Sequence, residues 1–338
     1  MGETSHKNGE IVIIFVSLGP KFPQYLAENL LRTQQIFKSN KVVLVTDSIR
    51  THPKIKGIEQ FLVGNLEDKY LKVITSIKRD TNFRSGFWKF TILRYFALHE
   101  YFLMHGKSKI LYVESDVWLS KNFPIKKFEG CDYMAFPCSA INQGVASTLF
   151  LPSIEISERF INFIEKYLLD FPKATDNDIL GSALLTLDSN TIRLLPSFLS
   201  DANAYSDYLN NQTLMGIERF GGIFDAASWG QYLTGLDPLN SNGQREIYLD
   251  QLHHFVQPSR FEIEITDSDA ILIKKGDQSQ ELFSLHIHSK DIRVFKNLEF
   301  IRKRIQNNKK KPLIEVDYPI YLKMLMRRVV VKTSRLFK

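Results

Sequence analysis

Apolar residues are grouped along the chain in blocks with the lengths and spacing of an α/β domain. Residues 10–19, EIVIIFVSLG, form a continuous β-branched run stopped by Gly19 and Pro20, which predicts a buried strand. Residues 23–37 place Tyr25, Leu26, Leu30 and Ile36 as a helix over a sheet would, and 40–48, NKVVLVTDS, form another buried strand. Strand, helix, strand is the opening of a βαβ unit. A long aromatic-rich helix over 87–105 and a strand over 108–115 follow. Then come a strand over 132–138, helices near 157–169 and from about 177 to 187, and a Gly-bounded loop leading into a short helix within 219–238. Alternating strands are expected over 261–265, 270–275 and 281–289. There is no internal repeat and no low-complexity segment before the tail.

The pattern changes after the Pro-bearing junction at 307–319. In a helix over the last residues, Leu322, Leu325, Met326, Val329, Leu336 and Phe337 share one face, and Lys323, Arg327, Arg328, Lys332 and Arg335 flank it. That is a basic amphipathic helix, a form that lies on anionic lipid. The charge is distributed to match. Residues 302–338 hold 12 Lys/Arg and 2 Asp/Glu, whereas the preceding 301 residues hold 32 and 35, a net of −3. The reading is a catalytic body over 1–301 and a basic membrane-associating tail over 302–338. A nucleic-acid binder would carry its basic stripe on the fold itself, so no nucleic-acid partner is expected.

The 338 residues, 44% of them hydrophobic, suffice for a sizeable core. No run of about 18 apolar residues predicts a membrane-spanning helix, and the N-terminus lacks an apolar signal-peptide core. Cys131 and Cys138 have no second pair, which argues against a disulfide framework or zinc ribbon. The expected location is the cytoplasm, peripherally associated with the inner face of the plasma membrane.

The candidate chemistry begins in KILYVESDVWL (109–119), where an apolar run ends in Glu114 and Asp116. In open α/β sheets ligands bind outside the carboxyl ends of the strands. Strand alternation would place both carboxylates on one side. Their repulsion would then need a cation, and hard oxygen donors suit Mg²⁺ or Mn²⁺, which complete their coordination with substrate phosphates. A solvated turn is the plain alternative.

ILYVESDVWL resembles the metal-binding strand of nucleotide-sugar glycosyltransferases of the GT-A fold, with Glu114 in place of the first Asp of the Asp-x-Asp motif. The resemblance extends over roughly 10–292. It implies a Rossmann-like mixed sheet flanked by helices, Asp116 as metal ligand, and Glu114 on metal or ribose. It implies Ser17, Thr46 and Asp47 near the nucleoside, and Lys89 and Arg94 on the 87–105 helix toward the nucleotide. AINQGVASTLFL (140–151) is similar to the Asn-x-Gly segment of glycogenin-like enzymes, so Asn142 would line the donor sugar. In LHIHSKD (285–291), His288 is favoured over His286 as metal ligand and Lys290 as diphosphate contact, with His253 and His254 as rivals. Asp225, in the string FDAASWGQYL, and Asp178, in TDNDIL, are candidate bases for an inverting transfer; both also suit helix capping. A retaining transfer needs no such base.

The implied activity moves a sugar from a nucleoside diphosphate sugar, UDP-linked in the first instance, to a glycan or lipid-linked acceptor in lipopolysaccharide, capsule or other surface-polysaccharide synthesis. A sugar-nucleotide-forming nucleotidyltransferase is the alternative enzyme. It usually carries a Gly-rich basic loop after its first strand, where this chain has only Gly19 and Lys21. A non-catalytic lipid- or nucleic-acid-binding protein is a third reading, against which the near-neutral body speaks.

Overall fold

The computed structural model describes residues 10–48, 53–80, 83–106, 108–140, 142–199, 207–235, 256 and 258–308. The expected C-terminal amphipathic helix, His253 and His254 lie outside them. The chain divides into two units, Met1–Ile301 and Arg302–Lys338, and the site described below belongs to the first.

In the N-terminal half, β1 (Ile11–Ser17) leads into α1 (Gln24–Ile36), β2 (Val42–Thr46) and β3 (Glu59–Leu62). Short helices α2 (Leu66–Lys69) and α3 (Leu71–Ser76) precede α4 (Phe87–His105). Strands β4 (Lys109–Val113), β5 (Val117–Leu119), β6 (Met134–Ala140), β7 (Gln143–Gly144) and β8 (Thr148–Leu151) follow. Then come α5 (Ile154–Asp170), α6 (Asp176–Thr186), β9 (Ile192–Leu195), α7 (Asp207–Phe220), β10 (Gly222–Phe224) and α8 (Ser228–Thr234). The last elements are β11 (Glu262–Ile265), β12 (Ile271–Lys275), β13 (Gln278–His286), α9 (Ile292–Lys296) and α10 (Glu299–Asn308).

The central sheet has the order β3-β2-β1-β4-β8-β6-β7, with β9 beside β6. The β3-β2-β1-β4 block is parallel, and β8 turns antiparallel to both β4 and β6. The continuous apolar runs are explained by their place: every residue of β1 and β2 is buried, as a strand covered on both faces requires. A smaller sheet, β10-β13-β12-β11, takes β5 against the last residues of β13, past the stretch that pairs with β12. The chain therefore crosses from the large sheet to the small one between β4 and β5, at Glu114–Asp116. Helices α1 and α4 both pack against the central sheet. Helix α4 buries ten of its 19 residues, among them Arg94. Burying a guanidinium in such a helix demands carboxylate partners.

Several elements go beyond the expected pattern, β3, β5, β9 and β10 among them. β3 and β9 are short sheet members without a long apolar run, and the glycine loop before α8 contains β10. The glycine at 222 permits this pairing: a Cβ there would sit 2.5 Å from the Glu281 carbonyl oxygen.

Candidate active site

The acidic pair is set by a turn. The Val117 N–H donates to the Glu114 carbonyl at 2.9 Å, and the Glu114 N–H donates to the Ser147 carbonyl at 3.0 Å. From behind, the buried Asn29 of α1 donates through Nδ2 to the carbonyls of Ser115 (3.2 Å) and Val117 (2.7 Å). The expected strand alternation is thus replaced by a side-chain-braced turn, which brings the two carboxylates together as effectively.

β13 supplies the third group. Its last residue pairs with Val117, and the next N–H, from Ile287, donates to the Asp116 carbonyl at 2.8 Å. This docking carries His286 Nε2 to 3.2 Å from Asp116 Oδ2 and 3.6 Å from Glu114 Oε2. One ligand atom from each of Glu114, Asp116 and His286 lies within 4.8 Å of the others. Two hard oxygens and an imidazole nitrogen, converging from two sheets, fit a small divalent cation. His288, which the sequence favoured, is instead stacked on His286 with ring centroids 4.1 Å apart. The regular strand stops at His286 and the His288 N–H turns back to the His286 carbonyl, so alternation no longer decides which ring faces the acidic pair.

Two cations complete the cluster. Arg94 Nη1 donates to Glu114 Oε1 at 2.6 Å and to the Tyr112 hydroxyl at 3.2 Å, and Nη2 pairs with Asp176 Oδ2 at the start of α6. Burial alone would raise the Glu114 carboxyl, but Arg94, helped by His286 and Lys290, holds it down at about 2. Lys290 Nζ lies against Asp116 Oδ2. Burial pushes the Lys290 ammonium down to about 8, against the pull of Glu114 and with the repulsion of Arg84. Lys290 itself has φ 55, a left-handed backbone that costs a non-glycine residue about 1 kcal/mol or more.

Asp225 sits behind this cluster, fully buried. Its Oδ1 accepts the Trp229 N–H at 3.0 Å, and its Oδ2 accepts the N–H groups of Gly230 and His286, each at 2.8 Å. Its own N–H donates to Ser284 Oγ, and its carbonyl accepts from Ser147 Oγ at 2.5 Å. Burial raises the Asp225 carboxyl to about 6 despite those N–H groups and His286. Both oxygens are committed, so this carboxylate holds His286 and the start of α8 in place. The surrounding string is shaped for that. Ala227 has φ 77, and a Cβ on Gly230 would fall 1.7 Å from the His286 carbonyl oxygen.

The other expected residues separate into groups. Ser17 and Thr46 are buried at the carboxyl ends of β1 and β2, on the rim that also carries Glu114, and Asp47 Oδ2 accepts the Gly19 N–H at 2.8 Å. Lys89 pairs with Glu67 at 2.6 Å. Asp178 Oδ2 accepts from the Thr175 N–H and hydroxyl, both at 2.8 Å, in a capping box. Asn142 and Asp178 line one cleft, separate from the charged cluster in its lining. Asn29, Asp176 and Ser147 also take part, and of these only Asp176 lay in a singled-out motif, the TDNDIL stretch that also holds Asp178. Asp176 alone carried a signal, as half of an acidic pair at a helix start.

No sequence-family model and no curated protein matches the chain. Solved structures do match. A galactosyltransferase, LgtC, solved with donor and acceptor sugar analogs, is 12% identical over 60% of this chain and 82% of that one, with a TM-score of 0.40. A glycosyltransferase involved in glycosylation of the major capsid of PBCV-1 is 12% identical over 55% and 81%, with a TM-score of 0.33. The bifunctional IspDF of Campylobacter jejuni is 12% identical over 59% and 52%, with a TM-score of 0.28. At such identities and scores, the functional reading rests on the site and not on these likenesses.

Proposed function

We propose that the chain is a metal-dependent GT-A-type glycosyltransferase, moving a sugar from a nucleoside diphosphate sugar to a hydroxyl of a glycan or lipid-linked acceptor in surface-polysaccharide assembly. The observation that supports this best is the convergence of Glu114, Asp116 and His286 beside Lys290, at the carboxyl end of a central parallel strand. Bound by those three residues, a Mn²⁺ or Mg²⁺ ion supplies positive charge for a departing diphosphate. Lys290 adds a second positive charge at the same point. Arg94 keeps Glu114 ionised and fixes its orientation, and Ser17, Thr46 and Asp47 border the place for the nucleoside. Asp225 serves by position: with both oxygens bound to backbone N–H groups, it is shielded from an acceptor hydroxyl.

The basic tail extends the proposal to a peripheral site on the anionic cytoplasmic leaflet, where each Lys or Arg near the surface contributes about 1 kcal/mol. Deleting residues 318–338 should abolish co-sedimentation with phosphatidylserine liposomes; unchanged co-sedimentation rejects the anchor.

Thermal unfolding with Mn²⁺, with UDP and with both tests the central claim. A shift needing both ligands together is expected, followed by release of UDP from at least one UDP-sugar in a donor panel. Equal shifts with UDP alone and with UDP plus Mn²⁺ would remove the metal from the reading. Incorporation of a nucleoside monophosphate into a sugar phosphate, with pyrophosphate released, would replace the transferase by a nucleotidyltransferase.

A further inference from the structure

Helix α5 ends in a ladder of three aromatic rings at successive i, i+4 positions. Phe163 stacks on Tyr167 with centroids 5.5 Å apart, and Tyr167 meets Phe171 at 4.7 Å. The ladder grows more exposed toward its end, and Phe171, the residue capping α5, is 54% exposed. Burial elsewhere does not require this. The opposite face of α5, with Phe160, Ile161, Ile164 and Leu168, already fills the core.

The end of the ladder borders a cleft of about 470 Å³ between α5, the start of α6 and the β6–β7 loop. Polar groups face the same cleft. Asp178 commits Oδ2 to Thr175, and its Oδ1 has no hydrogen-bond partner among the described residues. Ser182 donates to the Tyr167 hydroxyl at 2.8 Å, fixing that ring's edge at the wall. Asn142 is exposed on the loop opposite. Asp170 and Lys173 line it too, and an aromatic face beside carboxylates, an ammonium, an amide and hydroxyls is the chemistry that holds a pyranose: the ring's C–H face stacks and its hydroxyls donate and accept.

The placement relates the cleft to the proposed reaction. Asp176 and Asp178 share the first turn of α6, two residues or about 200° apart. Asp176 meets Arg94 in the charged cluster, and Asp178 meets the cleft. Gly181 lets the loop lie directly on the helix, since a Cβ there would fall 2.1 Å from the Asn142 carbonyl. The same short helix thus separates the two sites.

We propose that this cleft binds a neutral hexose unit of the acceptor glycan, remote from the hydroxyl that attacks. The proposal rests on the transferase reading for the word acceptor, and on the cleft alone for the sugar. Binding energy gathered there would hold the reacting end in place, as remote contacts do in many enzymes.

Saturation-transfer NMR on the full chain with lactose, maltose, cellobiose and mannobiose tests it. At least one disaccharide should saturate in the wild type. Phe171→Ala should weaken that binding about tenfold, the loss expected for one stacked ring, while the thermal shift by UDP plus Mn²⁺ is unchanged. Phe171→Leu keeps an apolar side chain and removes the ring, so it should lose as much; its melting temperature checks the fold independently. Saturation by none of the four, or equal binding in both variants, overturns the proposal. Sugar binding retained with no shift by UDP plus Mn²⁺ leaves the cleft as a sugar site and sinks the transferase reading instead.

Discussion

Lys290 Nζ lies against Asp116 Oδ2, the carboxylate oxygen that also faces His286 Nε2 at 3.2 Å. One ammonium thus contacts the group that a divalent cation would need. With a diphosphate present, the same ammonium has phosphate oxygens to turn to. Lys290→Ala should therefore tighten Mn²⁺ binding alone by a few-fold and weaken UDP in the presence of Mn²⁺ by about tenfold, the loss of one charge-assisted hydrogen bond. Calorimetric titration of the two ligands in either order reads both effects. A variant that loses Mn²⁺ affinity would refute the competition.

His286 and His288 stack on one another, yet only His286 reaches both carboxylates. His286→Ala should lower Mn²⁺ affinity by at least about tenfold, in the range that follows from disturbing a ligand set. His288→Ala should stay within about threefold. Electron paramagnetic resonance of free Mn²⁺ during titration separates them, and equal losses would mean that the two rings exchange places.

Arg94 is buried between Glu114 and Asp176. Arg94→Ala leaves the buried Asp176 and the half-buried Glu114 without their counter-charge and should cost about 3 kcal/mol by urea unfolding. Arg94→Lys should recover little, because one ammonium cannot span two carboxylates on different elements as a guanidinium fork does. Near-wild-type stability of Arg94→Lys would show that one of the two pairs carries no weight.

Gly230 has no room for a side chain, with the His286 carbonyl oxygen 1.7 Å from its ideal Cβ position and Asp225 Oδ2 at 2.8 Å. Gly230→Ala must push α8 off β13 and should destabilise by about 3 kcal/mol or more. Because Asp225 links Gly230 to the His286 N–H, the same change should weaken Mn²⁺ binding. Full Mn²⁺ affinity in a destabilised Gly230→Ala protein would uncouple Asp225 from the site.

The legible part of the fold was the part made of long apolar runs. β1, β2, β4 and α4 fall where the hydrophobic pattern puts them, because a strand covered on both faces leaves an unbroken signature. β5 is three residues long and is a strand only because β13 reaches it from about 165 positions away in sequence, a pairing no local pattern encodes. The acidic pair was likewise readable, but its geometry was not: the turn depends on Asn29, whose polar side chain, on a helix face shared with Leu26, Leu30 and Thr33, gives no sign of what it holds. His286 and His288 were ambiguous because alternation fails where the strand ends. The string around Asp225 was conspicuous as sequence, and its use became clear once Gly230 and the His286 N–H were seen to share one carboxylate.

Between Val113, the last residue of β4 in the large sheet, and Val117, the first of β5 in the small one, there are three residues, folded into a hydrogen-bonded turn. All three residues of β5 are buried, so adding or removing one residue there would exchange its two packed faces and drive Trp118 into the space that fits Val117 and Leu119. The length of this crossing is therefore as constrained as its composition. Duplications or deletions tolerated in surface loops would here scramble the interleaving of two hydrophobic layers at once.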